Sequence, residues 1–157
     1  MNRDFMLWLV IAGLLIGVTG TAAYKMSRGI RNNNPGNIRH SGDAWQGKSA
    51  TQTDLEFVQF DSPGYGIRAL AKLLKNYQDR YGLNTVRGII DRYAPPSENL
   101  TGSYIAHVAK AMQISPDAQI NVKNPETLFP LVSAIITHEN GINPYPDALI
   151  HQSIGMA

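Results

Sequence analysis

The chain has 157 residues, of which 43% are hydrophobic, 17% charged and none cysteine. The missing thiols exclude a disulfide scaffold, Cys-ligated zinc and a thiol nucleophile. The ordinary hydrophobic share excludes a disordered tail, and a formal net charge of +2 suits a polyanionic partner without demanding one.

The first predicted element is Phe5–Tyr24, a run of 20 residues without a charge. At about 1.5 Å per residue it reaches about 30 Å, the thickness of a bilayer core. Two readings fit it. One is a retained transmembrane anchor, with Phe5, Trp8 and Tyr24 at the interfaces. The other is a cleaved signal peptide, with Arg3 in its basic region and Thr21-Ala22-Ala23 as its cleavage site. A lipid-modified N-terminus is excluded because no Cys is available. Lys25, Arg28 and Arg31 after the run, against Arg3 before it, leave the membrane orientation open. Residues 1–26 are therefore read as anchor or signal, and 27–157 as one domain.

That domain opens with a stretch rich in Gly, Asn, Ser and Asp, from Ser27 to Gly66. Asn34-Pro35-Gly36 and Ser41-Gly42-Asp43 read as turns. Glu56-Phe57-Val58-Gln59-Phe60 alternates polar and apolar residues, as a half-buried strand does. A small antiparallel hairpin is expected over 36–60. The period then becomes helical. Pro63 starts a helix that carries Ile67, Leu70, Leu74, Tyr77 and Tyr81 on one face and ends at Gly82. Thr85 caps a second helix that must stop at Pro95-Pro96. Thr101 is expected to cap a third, with Tyr104, Ile105 and Val108. Asn124-Pro125-Glu126 starts a fourth, and Gly141 closes it. A short last helix follows Pro146. The fold class is mainly α, in the α+β sense, with one small hairpin.

With no thiol, the chemistry must come from carboxylates, His, Tyr, Asn or backbone groups. His138-Glu139 lacks the second His at i+4 that a helical zinc site needs, since position 142 is Ile. The four His residues have no ligand spacing, and no phosphate loop or nucleophile elbow occurs. No metal and no cofactor are expected. Arg28, Arg31 and Arg39, with Arg68, Lys72 and Lys75, do not amount to a nucleic-acid reader at this modest charge. Glu is scarce, with only Glu56, Glu98, Glu126 and Glu139. Glu126 complements the dipole in the first turn of the fourth helix. Glu139 is the opposite case: it lies in the last turn, where the dipole disfavours negative charge, next to apolar neighbours. Both effects favour the protonated form that a general acid needs. A solvated carboxylate at a frayed helix end is the competing reading.

The run from Leu131 to Pro144, LVSAIITHENGINP, resembles the catalytic helix of the lysozyme-like lytic transglycosylases. In those enzymes an apolar helix ends in the catalytic Glu, commonly followed by Ser-Gly. Here Asn140 replaces the Ser. The run RGIRNNNPGNIR from Arg28 to Arg39 resembles the opening of a family of phage virion and prophage peptidoglycan-degrading proteins. FVQFDSPGYGIRAL from Phe57 to Leu70, YAPPSENLT from Tyr93 to Thr101, and Pro144-Tyr145 fit that family too. The hairpin lies upstream of the catalytic helix here, the reverse of the usual lysozyme-like order. The resemblance therefore implies a circularly permuted lysozyme-like fold.

It also implies an activity: cleavage of the β-1,4 bond between MurNAc and GlcNAc in peptidoglycan, with Glu139 as the catalytic acid. A hydrolysing enzyme would need a second carboxylate, for which Glu56, Asp43, Asp54 and Asp61 are candidates. Substrate-binding candidates are Glu56, Gln59, Tyr65, Tyr93, Glu98, Asn99, Tyr104 and Tyr145. The implied setting is a virion membrane or a bacterial inner membrane, with residues 5–24 in the bilayer alongside other membrane or virion proteins. A non-catalytic, membrane-anchored wall-binding or virion structural protein is the alternative; it would keep the aromatic residues and need no acid.

Overall fold

The computed structural model describes residues 26–97 and 100–157. The apolar run 5–24, with both of its readings, lies outside the described residues, as do Glu98 and Asn99. Among the described residues no helix is long and apolar enough to cross a membrane.

Among the described residues six helices follow one another: α1 (Arg28–Arg31), α2 (Pro63–Tyr81), α3 (Val86–Tyr93), α4 (Thr101–Ala111), α5 (Pro125–Asn140) and α6 (Asp147–Gly155). The four long predicted helices and the last short one fall where the periodicity puts them. Their stops are the predicted glycines. Gly82 (φ 66°) and Gly141 (φ 76°) take the left-handed conformation that ends α2 and α5. Thr85 Oγ1 accepts from the Gly88 N–H at 3.0 Å, and Asn124 Oδ1 accepts from the Glu126 N–H at 3.0 Å.

Helix α5 is the centre of the domain and packs against α1, α2, α4 and α6. Its Leu128, Leu131, Val132, Ala134, Ile135 and Ile136 are all buried. Leu70, Leu74, Ile89, Ile90 and Ile150 join them in one core. Each fully buried aliphatic side chain contributes about 1.5–3 kcal/mol relative to exposure. This core fixes the direction in which α5 emerges at its C-terminal end.

Three local expectations need correction. The hairpin over 36–60 is not a ladder: two isolated antiparallel bridges, Arg39 with Phe57 and Lys48 with Phe60, take its place. Side chains capture the N–H groups that a ladder would use. Gln59 Oε1 accepts from the Thr53 and Asp54 N–H groups, Gln52 Oε1 from that of Gln59, and Asp54 Oδ1 from those of Glu56 and Phe57. Thr101 does not cap α4. It is the first helical residue, and its Oγ1 donates to the Ala94 carbonyl at 2.6 Å, closing the Pro-Pro turn. Helix α1 was not foreseen in the Asn-rich opening; Ser27 caps it by accepting from the Ile30 N–H at 3.4 Å.

The Asn-rich opening is a set of cross-links. Asn34 is fully buried. Its amide donates to the carbonyls of Ile38 (2.9 Å) and Val58 (2.8 Å), and its Oδ1 accepts from the Ile38 N–H at 2.9 Å. Asn33 and Asn37 take positive φ values of 51° and 48°, a region that Asn tolerates better than most residues. The loop is thereby turned toward the end of α5.

Candidate active site

Glu139 occupies the last turn of α5 and is partly exposed. Two side chains from distant parts of the chain hold its carboxylate. Asn37 Nδ2 donates to Oε2 at 2.8 Å, and the Tyr104 hydroxyl donates to Oε1 at 2.8 Å. The carboxylate borders a cleft of about 330 Å³ lined by Leu100, Ser103, Tyr104, His138 and Glu139.

Tyr104 reaches Glu139 because α4 packs on α5. Its ring is buried, stacked on His138 with centroids 3.6 Å apart, and meets Tyr93 edge-on at 6.3 Å. Burial first, then Tyr93 and the charge of Glu139, push the Tyr104 phenol far above its usual value. It is a neutral hydrogen-bonding group at any physiological pH. Burial, then Glu139, raises the Tyr93 phenol in the same way. The Tyr93 hydroxyl donates to the Gly36 carbonyl in a short contact, which fixes the residue before Asn37. Behind the stack, His138 Nδ1 lies 2.8 Å from His107 Nδ1. Burial, then the neighbouring His107, lowers the pKa of His138.

Asn140, the departure from the Ser of the lysozyme-like pattern, ties the opening segment to α5. Its Oδ1 accepts from Ser27 Oγ at 2.6 Å, and its Nδ2 donates to the carbonyls of Pro35 (2.7 Å) and Ile136 (2.8 Å). Gly29 lies in the same place. A Cβ there would stand 2.6 Å from Asn140 Oδ1 and 2.8 Å from Asn37 Oδ1. Only a glycine lets α1 approach this closely.

The structure brings together part of the predicted set. Tyr104 touches Glu139, and Tyr93 touches Tyr104. Of the others among the described residues, Glu56, Gln59 and Tyr65 are committed elsewhere. Glu56 pairs with Arg28 at 2.5 Å. The Gln59 amide is occupied by Thr53, Asp54 and Asn32. The Tyr65 ring lies over Gly47, where a Cβ would collide with it. The Tyr145 hydroxyl is buried with no partner among the described residues, and burial raises its pKa.

Of the candidate second carboxylates, Asp54 is clamped by Arg28 through two bonds of 2.7 Å and by Asn32 at 2.8 Å. The Arg28 guanidinium holds it well below the usual carboxylate range. Asp43 accepts from Ser41 Oγ at 2.7 Å. Among the described residues no group of three or more His, Asp or Glu is arranged to hold a metal.

Sequence reasoning missed Asn37 and the His107–His138 pair. Asn37 falls inside the segment expected to be a hairpin strand, just after the Asn34-Pro35-Gly36 turn, and a strand position gives no signal that its side chain crosses to another helix.

Fold and site together define a small helical domain with one carboxylate presented at a helix end beside a cleft. The chain is 38% identical over 148 residues to Protein P5 of Pseudoalteromonas phage PM2, a match that covers 92% of this chain and 91% of that protein. It belongs to the family of that phage protein. No family model matches the chain.

Proposed function

We propose that the protein is a membrane-anchored peptidoglycan lytic transglycosylase that cleaves the MurNAc–GlcNAc β-1,4 bond. The observation that carries this reading is the placement of Glu139: a partly exposed carboxyl at the mouth of a cleft, with both oxygens engaged by Asn37 and Tyr104.

The mechanism needs one acid. Protonated Glu139 donates its proton to the glycosidic oxygen as the C1–O bond breaks and the bonding pair leaves with that oxygen. The resulting carboxylate takes the proton of the sugar's own 6-hydroxyl, whose oxygen closes on C1 to give a 1,6-anhydro ring. The Tyr104 hydroxyl and the Asn37 amide both donate to Glu139, so they stabilise the carboxylate left once its proton has gone to the glycosidic oxygen. A hydrolase would need a second carboxylate poised for water. Three of the four candidates, Asp54, Glu56 and Asp43, are instead tied to Arg28 and Ser41, which favours the one-acid route. Among the described residues the exposed Asp61 is held only through its backbone N–H, which donates to the Gly47 carbonyl.

The permuted lysozyme-like order is supported by Asn37, at the start of segment 36–60, bonding directly to Glu139. The phage origin of the relative supports action from a virion. The match also bears on the anchor: 92% of 157 residues is about 144, more than residues 27–157 supply, so the likeness extends into the N-terminal apolar segment. On this reading residues 5–24 hold the enzyme at a virion membrane or a bacterial inner membrane, facing the wall.

Mass spectrometry of the fragments released from purified peptidoglycan tests the reaction. Muropeptides lighter by one water than the hydrolysis products mark the transglycosylase. Reducing-end products would make it a hydrolase, and a protein that binds the wall and releases nothing would be a wall-binding protein.

A further inference from the structure

A second concavity lies away from the Glu139 cleft. It encloses about 480 Å³, and one of its walls is a ridge of α2. Arg68, Lys72, Asn76 and Arg80 line it and recur every four positions, so they stand in one row. Arg92, at the end of α3, closes the opposite side, and the loop at Trp45 supplies an apolar wall. Like charges at i and i+4 repel, yet Arg68 and Lys72 stand that way. Among the described residues none of these four cations has an ion-pair partner, although Arg68 Nε donates to the Met156 carbonyl at 3.0 Å. The acid that lines the groove, Asp43, is turned to Ser41.

The Arg92 guanidinium is pre-organised. It lies 3.5 Å from the centroid of Tyr81 and 5.3 Å from that of Tyr77. A guanidinium laid flat on a ring keeps its N–H edges available for a planar oxyanion. The same placement covers one face of Tyr81, which removes that face as a platform for a nucleobase and leaves Trp45 as an aromatic wall. Four cations in one hollow also make a shorter track than a nucleic-acid backbone needs. A bilayer surface, for its part, would meet cations on a convex face.

We propose that this groove binds a carboxylate-bearing peptide, the class to which the stem peptides of the wall polymer belong. It thereby selects peptide-bearing peptidoglycan over naked glycan. The inference rests on the wall-cleaving reading of Glu139 for its context and adds a second point of attachment to it.

The test is co-sedimentation of the full chain, in detergent, with intact sacculi and with glycan strands stripped of their stem peptides by an amidase. Lys72→Gln/Arg80→Gln changes two exposed side chains, and Arg92→Lys keeps the charge but removes the fork. Thermal melts confirm that both variants fold. The wild type is expected to bind intact sacculi about tenfold tighter than stripped strands. Both variants are expected to fall to the stripped level on sacculi and to bind stripped strands as the wild type does. Equal wild-type binding to the two polymers, or unchanged variants, overturns the proposal. Displacement by a polynucleotide at lower concentration than by an acidic peptide would give the groove to nucleic acid. Vesicles of phosphatidylglycerol that retain the wild type and lose the variants would give it to lipid. Peptide-dependent binding without release of any fragment would leave the groove standing and remove the transglycosylase reading.

Discussion

Asn37 Nδ2 and Glu139 Oε2 are 2.8 Å apart, although 102 positions separate the two residues in the chain. The contact joins the Asn-rich opening segment to the end of the central helix. It depends on three devices: the left-handed backbone at Asn37, the close approach of α1 at Gly29, and the Asn140 amide bound to the Pro35 carbonyl.

Gly29→Ala should damage the site more than the fold. Its Cβ would stand 2.6 Å from Asn140 Oδ1, 2.8 Å from Asn37 Oδ1 and 2.9 Å from the Asn34 carbonyl. Overpacking of this kind costs about 1–3 kcal/mol. The expected result is a lowered melting temperature with wall-cleaving activity down at least about tenfold, since a small displacement of an oriented group costs that much or more. Activity and a thermal melt measured on one preparation check it.

Tyr104→Phe removes the donor to Glu139 Oε1 and leaves the ring on His138. A hydrogen bond to a charged group contributes about 1.5–3 kcal/mol. Activity should fall about ten- to a hundredfold, with the helical content unchanged. Turnover by the variant at the wild-type rate would remove Tyr104 from the site.

The His107–His138 pair predicts a pH dependence of stability. His138 has a folded pKa below its ordinary 6.5. The unfolded chain therefore takes up the proton first. The contribution of His138 is fully present above about pH 6.5 and is lost as the pH falls through its lowered folded value. Urea melts between pH 8 and pH 5 should show a decline that His138→Phe flattens while keeping a ring against Tyr104.

Asp54→Asn should lower stability modestly, because the clamp of Arg28 on a carboxylate becomes a contact with a neutral amide, and solvent at the exposed guanidinium screens the pair. Asp54 is held below its ordinary 3.8, so the wild-type advantage should persist above pH 4 and fade in stronger acid. Denaturant titrations of both proteins at pH 7 and pH 3 measure it. A variant that keeps its fold and loses all activity would restore Asp54 as a catalytic candidate.

The helices were legible because their signals are local. Pro63, Thr85, Asn124, Gly82 and Gly141 mark ends whatever surrounds them. Glu139 stood out for the same reason, as an acid at the wrong end of a helix. The hairpin was over-read. Alternation in 56–60 was real, but Gln52, Asp54 and Gln59 compete with the ladder through their own side chains. Thr101 does not cap because the helix begins one residue earlier than a cap at 101 requires: Leu100 takes the cap position, and the Thr101 hydroxyl donates to the Ala94 carbonyl seven residues upstream. Asn37, His107 and the cationic groove could not be read locally. Asn37 and His107 meet their partners only where α5 is packed, and the groove needs the loop at Trp45 and Arg92 of α3 beside the row on α2. A run of Asn residues looks the same whether it makes turns or reaches across the molecule.

The most direct measurement is zymogram clearing of purified peptidoglycan by Glu139→Gln beside the wild type. Gln keeps the size of the side chain and can still meet Tyr104 and Asn37, so the fold should survive. The account predicts clearing by the wild type and a loss of at least about a thousandfold in the variant, which has no proton to give. Clearing by Glu139→Gln at the wild-type level would contradict it.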